Sequence, residues 1–505
     1  MPRWAVAGQP GIFRRMRRLT SLEFANSYAR LHPAFYEVVD PTPLPAPYLV
    51  AFNSDAAALL GLDPREAEAA DAPLYLSGGK RIPGAEPIAQ AYAGHQFGVW
   101  VPQLGDGRAF LLGQAVGPHG VRWDLHLKGA GRTRFSRFGD GRAVLRSAIR
   151  EYLACEALFG LGIPTTRALC IVGSTLPVQR ERTETAATLL RLSPSHVRFG
   201  TFEYFAARED AARVRELVDY VVREHFPDLQ EVPDPRLPFF GAVCRRTAQL
   251  IAHWMAAGFA HGVMNTDNMS VLGLTLDYGP FGFLDQYQAG FICNHTDIEG
   301  RYAFDQQPSV GMWNCARLGD ALMAPDDDPA LWQAELESYW PAFRETYRSL
   351  LLGKLGLSSA ATDPADSEAA ALLSELLGIL QLEQLDYSGF FRELCDYSVN
   401  GERSTINRGG SERMQAWLRR YENRLRIEGS RDAERRARMR GLNPKYVLRN
   451  WVAQEAIERA ETGEFRLIEE LRQVLRDPYA EHPDMERFAA PPVGAAREIA
   501  VSCSS

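Results

Sequence analysis

The segment Trp123-Asp124-Leu125-His126-Leu127-Lys128 alternates apolar and polar residues without exception. Residues two apart share one face of a strand. Trp123, Leu125 and Leu127 therefore share one side, and Asp124, His126 and Lys128 the other. Gly129-Ala130-Gly131 ends the run. From Ala143 to Leu158 the period changes. Leu145, Ile149, Tyr152, Leu153, Ala157 and Leu158 recur mostly at three- and four-residue spacing, which predicts a helix that carries Glu151. A lysine closing a strand, then a glutamate on the next helix, narrows the folds open to this chain. Such a lysine can project into a cleft and neutralise a triphosphate, with the acid orienting it by ion pairing. On these residues alone, a surface lysine and a surface glutamate fit as well.

The rest of the chain frames that pair. Residues 1–20 carry Arg3, Arg14, Arg15, Arg17 and Arg18 and no acid, and read as a flexible basic leader, a presequence-like stretch or a start at Met16. Residues 21–90 read as mixed helix and loop, with Pro41, Pro43, Pro45 and Pro47 close together. The chain is strand-like from about 91 to 130, and residues 160–240 read as short strands and loops. Ala242–Ala257 reads as a helix closed by Gly258, followed by a polar loop and a brief strand at Met269–Leu272. After about residue 330 the pattern is mostly helical, with a linker-like stretch from Ser358 to Ser367. The mixed Arg, Asp and Glu run from Arg431 to Arg440 reads as a solvated helix face.

Composition excludes several classes of function. Lys+Arg 56 against Asp+Glu 63 gives a net charge of −7, which lacks the basic excess of a nucleic-acid binder. No apolar run approaches the ~18–20 residues of a membrane helix. The seven cysteines form no CxxC pair, so they give no support to a zinc site and suit a reducing compartment. Cys503 stands apart, third from the end in a tail expected to be mobile.

Two segments repeat a pattern: Gly105-Asp106-Gly107-Arg108-Ala109 and Gly139-Asp140-Gly141-Arg142-Ala143. Glycines let backbone approach a ligand, free amides in such turns form anion nests, and arginine grips phosphate with two hydrogen bonds. Each turn alone is also what an ordinary surface turn looks like. The most informative stretch is His261-Gly262-Val263-Met264-Asn265-Thr266-Asp267-Asn268, followed by Asp277-Tyr278-Gly279. An intervening strand pair would bring Asn268 and Asp277 together. One amide and one carboxylate, completed by phosphates and water, suit Mg²⁺. Asp267 is then a candidate general base. Lysine on a strand, glutamate on a helix, a His…Asn loop and Asp-x-Gly follow the order of protein-kinase parts. One part differs: where a kinase places its catalytic aspartate, this chain has Val263.

Several longer motifs resemble the selenoprotein O family, also called the YdiU family. They are Tyr92-Ala93-Gly94-His95-Gln96-Phe97-Gly98, Leu104-Gly105-Asp106-Gly107-Arg108, Leu127-Lys128-Gly129-Ala130-Gly131, Asn265-Thr266-Asp267-Asn268 and Asp277-Tyr278-Gly279-Pro280. Asn443-Pro444-Lys445-Tyr446-Val447-Leu448-Arg449-Asn450 and the tail Cys503-Ser504-Ser505 extend the resemblance over nearly the whole chain. It implies an α+β, protein-kinase-like two-lobed fold with a mostly helical C-terminal extension. It also implies transfer of AMP from ATP, bound in an inverted orientation, to protein hydroxyls. By motif, Gly105, Gly107, Arg108, Asp140 and Gly141 would line the nucleotide site. Lys128 would bind phosphate with Glu151 as its partner, and Arg191 and Arg198 would hold terminal phosphates. Asp267 would accept the proton, while Asn268 and Asp277 would bind Mg²⁺ or Mn²⁺.

The expected division is a leader at 1–20, an N-terminal region at 21–240, a catalytic segment at 241–355, a helical region at 356–490 and a tail at 491–505. Many eukaryotic members carry selenocysteine near the C-terminus, where this chain has Cys503. Cys503, on the tail, is expected to form a reversible disulfide, with Cys293 as leading candidate, and to meet a redox partner. Protein substrates are expected as partners, with no nucleic acid and no membrane. The expected location is cytoplasmic in a bacterium, mitochondrial in a eukaryote. A kinase with an unorthodox base and a nucleotide-binding scaffold are the rival readings.

Overall fold

A computed structural model of the chain describes residues 16–357, 366–399 and 410–494, with 496, 499 and 501. Eight strands form the main sheet. Its order is Tyr36–Val38, Ile88–Gln90, Ala109–Val116, Arg122–Lys128, Thr183–Ser193, Arg167–Gln179 and Tyr48–Phe52. Neighbours along this path are antiparallel. The short Ala143–Val144 strand adds to Thr183–Ser193.

The alternating segment forms the strand Arg122–Lys128, as its pattern requires. Trp123, Leu125 and Leu127 join Phe110, Leu112, Leu190 and Leu192 in one apolar cluster. The opposite face is buried too: Asp124 and His126 are 2% and 1% exposed. Polar side chains at such depth must find partners, because unpaired burial costs each about 1–3 kcal/mol. They find them in the charged network described below.

Leu145–Gly160 is the expected helix, shifted slightly toward the C-terminus. Its Ile149, Tyr152 and Leu153 share a core with Ile171 and Leu189 of the sheet. The same core takes in Val452, Ile457, Leu471 and Leu475, because the helices Asn450–Glu461 and Arg466–Arg476 pack on this helix. Arg150 fixes the contact, its Nη2 donating to Phe281 O at 2.9 Å and to Asn450 Oδ1 at 3.2 Å. The helix that carries Glu151 is therefore clamped between the sheet and the end of the chain.

Two expectations need correction. Residues 160–240 hold two long strands, Arg167–Gln179 and Thr183–Ser193, and then the helices Phe199–Ala206 and Ala211–His225. Aromatic and β-branched residues favour strands, but Val214, Leu217, Val218, Val221 and Val222 are buried at helical spacing, and tertiary packing decides. Asp210 caps the second helix by accepting the Arg213 amide at 3.1 Å. Met269–Leu272 forms no strand. It makes isolated bridges, Met269 to Thr275 and Ser270 to Arg198, because the chain turns back at Gly273, whose amide donates to Ser270 O. The helix expected at Ala242–Ala257 runs Arg236–Ala257 and ends at Gly258 with φ +72°. Among the described residues, eight helices follow from Gln307–Leu322 to Asn450–Glu461 and are joined by Arg466–Arg476. No helix among the described residues is long and apolar enough to cross a membrane.

Candidate active site

A cavity of about 800 Å³ opens between the sheet and the 263–280 segment. Eleven of the residues singled out in the sequence line it: Gly105, Gly107, Arg108, Lys128, Asp140, Gly141, Arg191, Arg198, Asp267, Asn268 and Asp277. Glu151 lies just behind, 1% exposed.

Lysine, glutamate and two arginines converge on one aspartate. Lys128 Nζ donates to Glu151 Oε2 at 2.6 Å and stands 3.9 Å from Asp277 Oδ1. Arg191 Nη1 donates to Glu151 Oε1 and to Asp277 Oδ1, both at 2.6 Å. Arg198 Nη1 donates to Asp277 Oδ2 at 2.8 Å and to the Asp267 carbonyl at 3.0 Å. Its guanidinium also lies over the Tyr92 ring, 4.3 Å from the centroid. Burial alone would raise the Asp277 pKa, but Arg191, Arg198 and Lys128 outweigh it and hold the carboxyl well below the usual range. Burial lowers the Lys128 pKa, and Glu151 partly offsets this. Three cations around two carboxylates leave net positive charge, which suits a polyanionic ligand. Asp277 itself sits at φ +53°, a left-handed conformation that aspartate tolerates better than most residues.

Asp267 has the opposite surroundings. The turn Thr266–Asn268 presents it, and it is 8% exposed. Its Oδ2 accepts only a long hydrogen bond, from Gln96 Nε2 at 3.4 Å. Its Oδ1 has no hydrogen-bond partner among the described residues. Burial pushes its pKa up to about 7, with Arg198 pulling the other way. The Gly94–Gln96 strand seats this turn. The His95 amide donates to Thr266 Oγ1 at 2.7 Å, and a Cβ on Gly94 would stand 3.0 Å from Asp267 Oδ1. Val263 lines the same cavity, and its carbonyl accepts from Asn268 Nδ2 at 2.9 Å, which orients the amide.

The two Gly-Asp-Gly-Arg turns meet across the cavity mouth without equivalence. Gly105 has φ +77°, and a side chain there would strike the Phe135 ring at 2.4 Å. Gly141 has φ +74°, and a Cβ would stand 2.2 Å from the Gly131 carbonyl. Both positions demand glycine. Asp106 is buried, with Oδ2 accepting the Gln90 amide at 3.0 Å. Asp140 is partly exposed and pairs with Arg180 at 2.8 and 3.0 Å, which lowers its pKa.

The donors present fit a hard divalent ion. Asn268 and Asp277 offer an amide oxygen and a carboxylate, and a carboxylate has about four lone-pair positions, of which the arginines take one on each oxygen. No group of three or more His, Cys, Asp or Glu among the described residues could hold a metal alone. Such an ion would draw its remaining ligands from phosphate and water.

The family model described as "Protein adenylyltransferase SelO" matches residues 18–476. The chain is 54% identical to "Protein nucleotidyltransferase YdiU" of Myxococcus xanthus over 495 residues, covering 97% of this chain and 100% of that protein. A protein of the same name from Thioalkalivibrio sulfidiphilus is 52% identical, with the same two shares. The chain belongs to the SelO/YdiU family of protein nucleotidyltransferases.

In this SelO/YdiU chain, sequence reasoning passed over several groups at the site. His126 was placed on the Lys128 face but given no role, and it accepts from Arg191 at 2.7 Å. Gln96, Tyr92 and Arg180 touch Asp267, Arg198 and Asp140. His126 carried a local signal in its two-residue spacing from Lys128, Tyr92 and Gln96 lay in the Tyr92–Gly98 motif, and Arg180 carried none. Cys503 lies outside the described residues. Cys293 is buried, its Sγ 3.6 Å from the Ala260 carbonyl, and the His295 amide donates to Val501 O at 3.1 Å.

Proposed function

We propose that this chain transfers AMP from ATP to Ser, Thr or Tyr hydroxyls of proteins and releases pyrophosphate, with Asn268 and Asp277 holding Mg²⁺ or Mn²⁺. The observation that carries the reading is the contrast between Asp277, ringed by cations, and Asp267, nearly unpartnered with a pKa near 7. A group poised near the working pH is suited to take a proton. In this reading Asp267 accepts the proton of the attacking hydroxyl. Lys128, Arg191 and Arg198 stabilise the negative charge that grows on the departing pyrophosphate. Asn268 and Asp277 hold the ion, and the bound ion supplies Lewis-acid stabilisation of the phosphoryl oxygens. Gly105, Gly107, Arg108, Asp140 and Gly141 frame the nucleotide.

The same proposal takes the scaffold as protein-kinase-like and two-lobed. Support comes from the antiparallel sheet bearing Lys128, the helix bearing Glu151 and the loop bearing Asp267 and Asn268. It keeps the division at 21–240, 241–355 and 356–490, and a cytoplasmic setting in a bacterium. A kinase with an unorthodox base is the second reading, and Val263 at the usual base position weighs against it. A reversible Cys293–Cys503 disulfide belongs to the proposal as a redox control. Peptide mapping after oxidation should find that pair, and Cys503 recovered only as thiol would remove it.

Labelled ATP tests the function. Label on the α-phosphate should enter protein, and label on the γ-phosphate should leave with pyrophosphate. Entry of γ-label without α-label would make the chain a kinase.

A further inference from the structure

Arg191 has one partner for which neither nucleotide, metal nor acceptor accounts. His126 stands directly opposite it across the strand pair. Arg191 Nη2 and His126 Nδ1 are 2.7 Å apart. The two residues are 0% and 1% exposed, so water does not compete for this contact. Arginine has only donors, so Nδ1 must accept, and the single ring proton sits on Nε2. That nitrogen faces Asp106 Oδ1 at 3.4 Å, inside the first Gly-Asp-Gly-Arg turn. Asp106 is anchored in turn by the Gln90 amide.

The far side of the imidazole is also fixed. His126 stacks on His196 with centroids 4.1 Å apart and planes 16° apart. His196 is held by Asp124, which stands 3.1 Å from its Nδ1 and accepts its amide at 2.9 Å. Burial lowers the His126 pKa, which favours the neutral, accepting ring.

We infer that His126 is a positioning residue for nucleotidyl transfer, locking the Arg191 guanidinium onto Asp277. The geometry explains why a lock is needed. A guanidinium is a planar fork, and its Nη1 already serves both Glu151 and Asp277. Contacts at Nη1 alone would leave the buried Nη2 end of the fork without a partner. A second anchor at Nη2 fixes the plane, and with it the direction of the charge offered to a leaving group. This inference rests on the reading of Arg191 as a leaving-group cation.

Two measurements test it, and neither depends on which phosphorus is transferred. Nitrogen NMR of the histidine side chains should show His126 neutral at pH 7, with Nδ1 bare and Nε2 protonated; the other tautomer or an imidazolium overturns the inference. Kinetics of His126→Asn and His126→Gln give the second arm, since Asn can place its carbonyl near Nδ1 while Gln reaches toward Nε2. Loss of such a supporting contact typically costs about 10–100-fold in activity, so His126→Gln should lose at least about tenfold in kcat with a smaller change in KM for ATP. His126→Asn should recover most of that loss. In an Arg191→Ala background the Gln substitution should cost less than about twofold more, because the two act as one unit. Equal activity of the Asn and Gln variants, or the full loss repeated without Arg191, would contradict a positioning role.

Discussion

Asp267 and Asp277 belong to one short segment and line one cavity, yet the protein treats them in opposite ways. Asp277 receives Arg191 on one oxygen and Arg198 on the other, and stays ionised. Asp267 has one long hydrogen bond and no cation on its carboxylate, and burial raises its pKa to about 7. Carboxylates whose surroundings push their pKa values apart can divide the work of a site. One keeps its charge to hold cations, and the other exchanges a proton. The difference comes from position. Asp277 faces the sheet, where strand register brings Arg191 beside it, while Asp267 faces the small Gly94–Gln96 strand.

If that division is right, Asp277→Ala and Lys128→Ala should hurt most. Each should lower kcat/KM by about 10³-fold or more, because removing a preorganised charge in a dry site forfeits several kcal/mol. The two should differ in a metal titration: raising Mg²⁺ or Mn²⁺ should leave Asp277→Ala inactive, while Lys128→Ala should show a higher KM for ATP. Full activity of Asp277→Ala at any metal concentration would remove the metal assignment. Asp267→Ala comes next, with an expected loss of about 10²–10⁴-fold in kcat and little change in nucleotide affinity by calorimetry. A matching drop in affinity would make Asp267 a binding group instead.

The third expectation concerns pH. A base works when deprotonated, and Asp267 is deprotonated above its raised pKa of about 7. Below that value kcat should fall about tenfold per pH unit, and above it the rate should level off. Asp277 should add no limb in this range, since its pKa is held far lower. The smallest effect belongs to Gln96→Leu. It removes the hydrogen bond that favours ionised Asp267, so the limb should move to higher pH and the rate at pH 7 should drop about twofold. A limb that moved to lower pH would show that Gln96 does not stabilise the carboxylate.

Much of this was legible in the chain itself. Six alternating residues specified the Lys128 strand, and apolar spacing specified the Glu151 helix, because each sets a repeating apolar face into the core while its polar residues enter the buried site. Gly258 marked a helix end by its left-handed φ. Asp267, Asn268 and Asp277 were found as a local cluster. Arg191 and Arg198 were reached only through family resemblance, since what makes them partners of Asp277 is the pairing of strands and turns distant in sequence. The Ala211–His225 helix was missed when residues 160–240 were read as short strands and loops, although its buried Val214, Leu217, Val218, Val221 and Val222 recur at helical spacing. The pKa contrast between the aspartates also lay beyond the sequence, because it depends on burial and on which cations reach each carboxylate.

The most direct test is the intact mass of protein incubated with ATP and Mg²⁺ or Mn²⁺, for the chain and for its Asp267→Ala variant. The chain should add adenylyl groups to itself or to a protein substrate. The variant should bind ATP and add almost none. Addition of a phosphoryl group, or undiminished adenylyl transfer by Asp267→Ala, would contradict the roles assigned to the two aspartates.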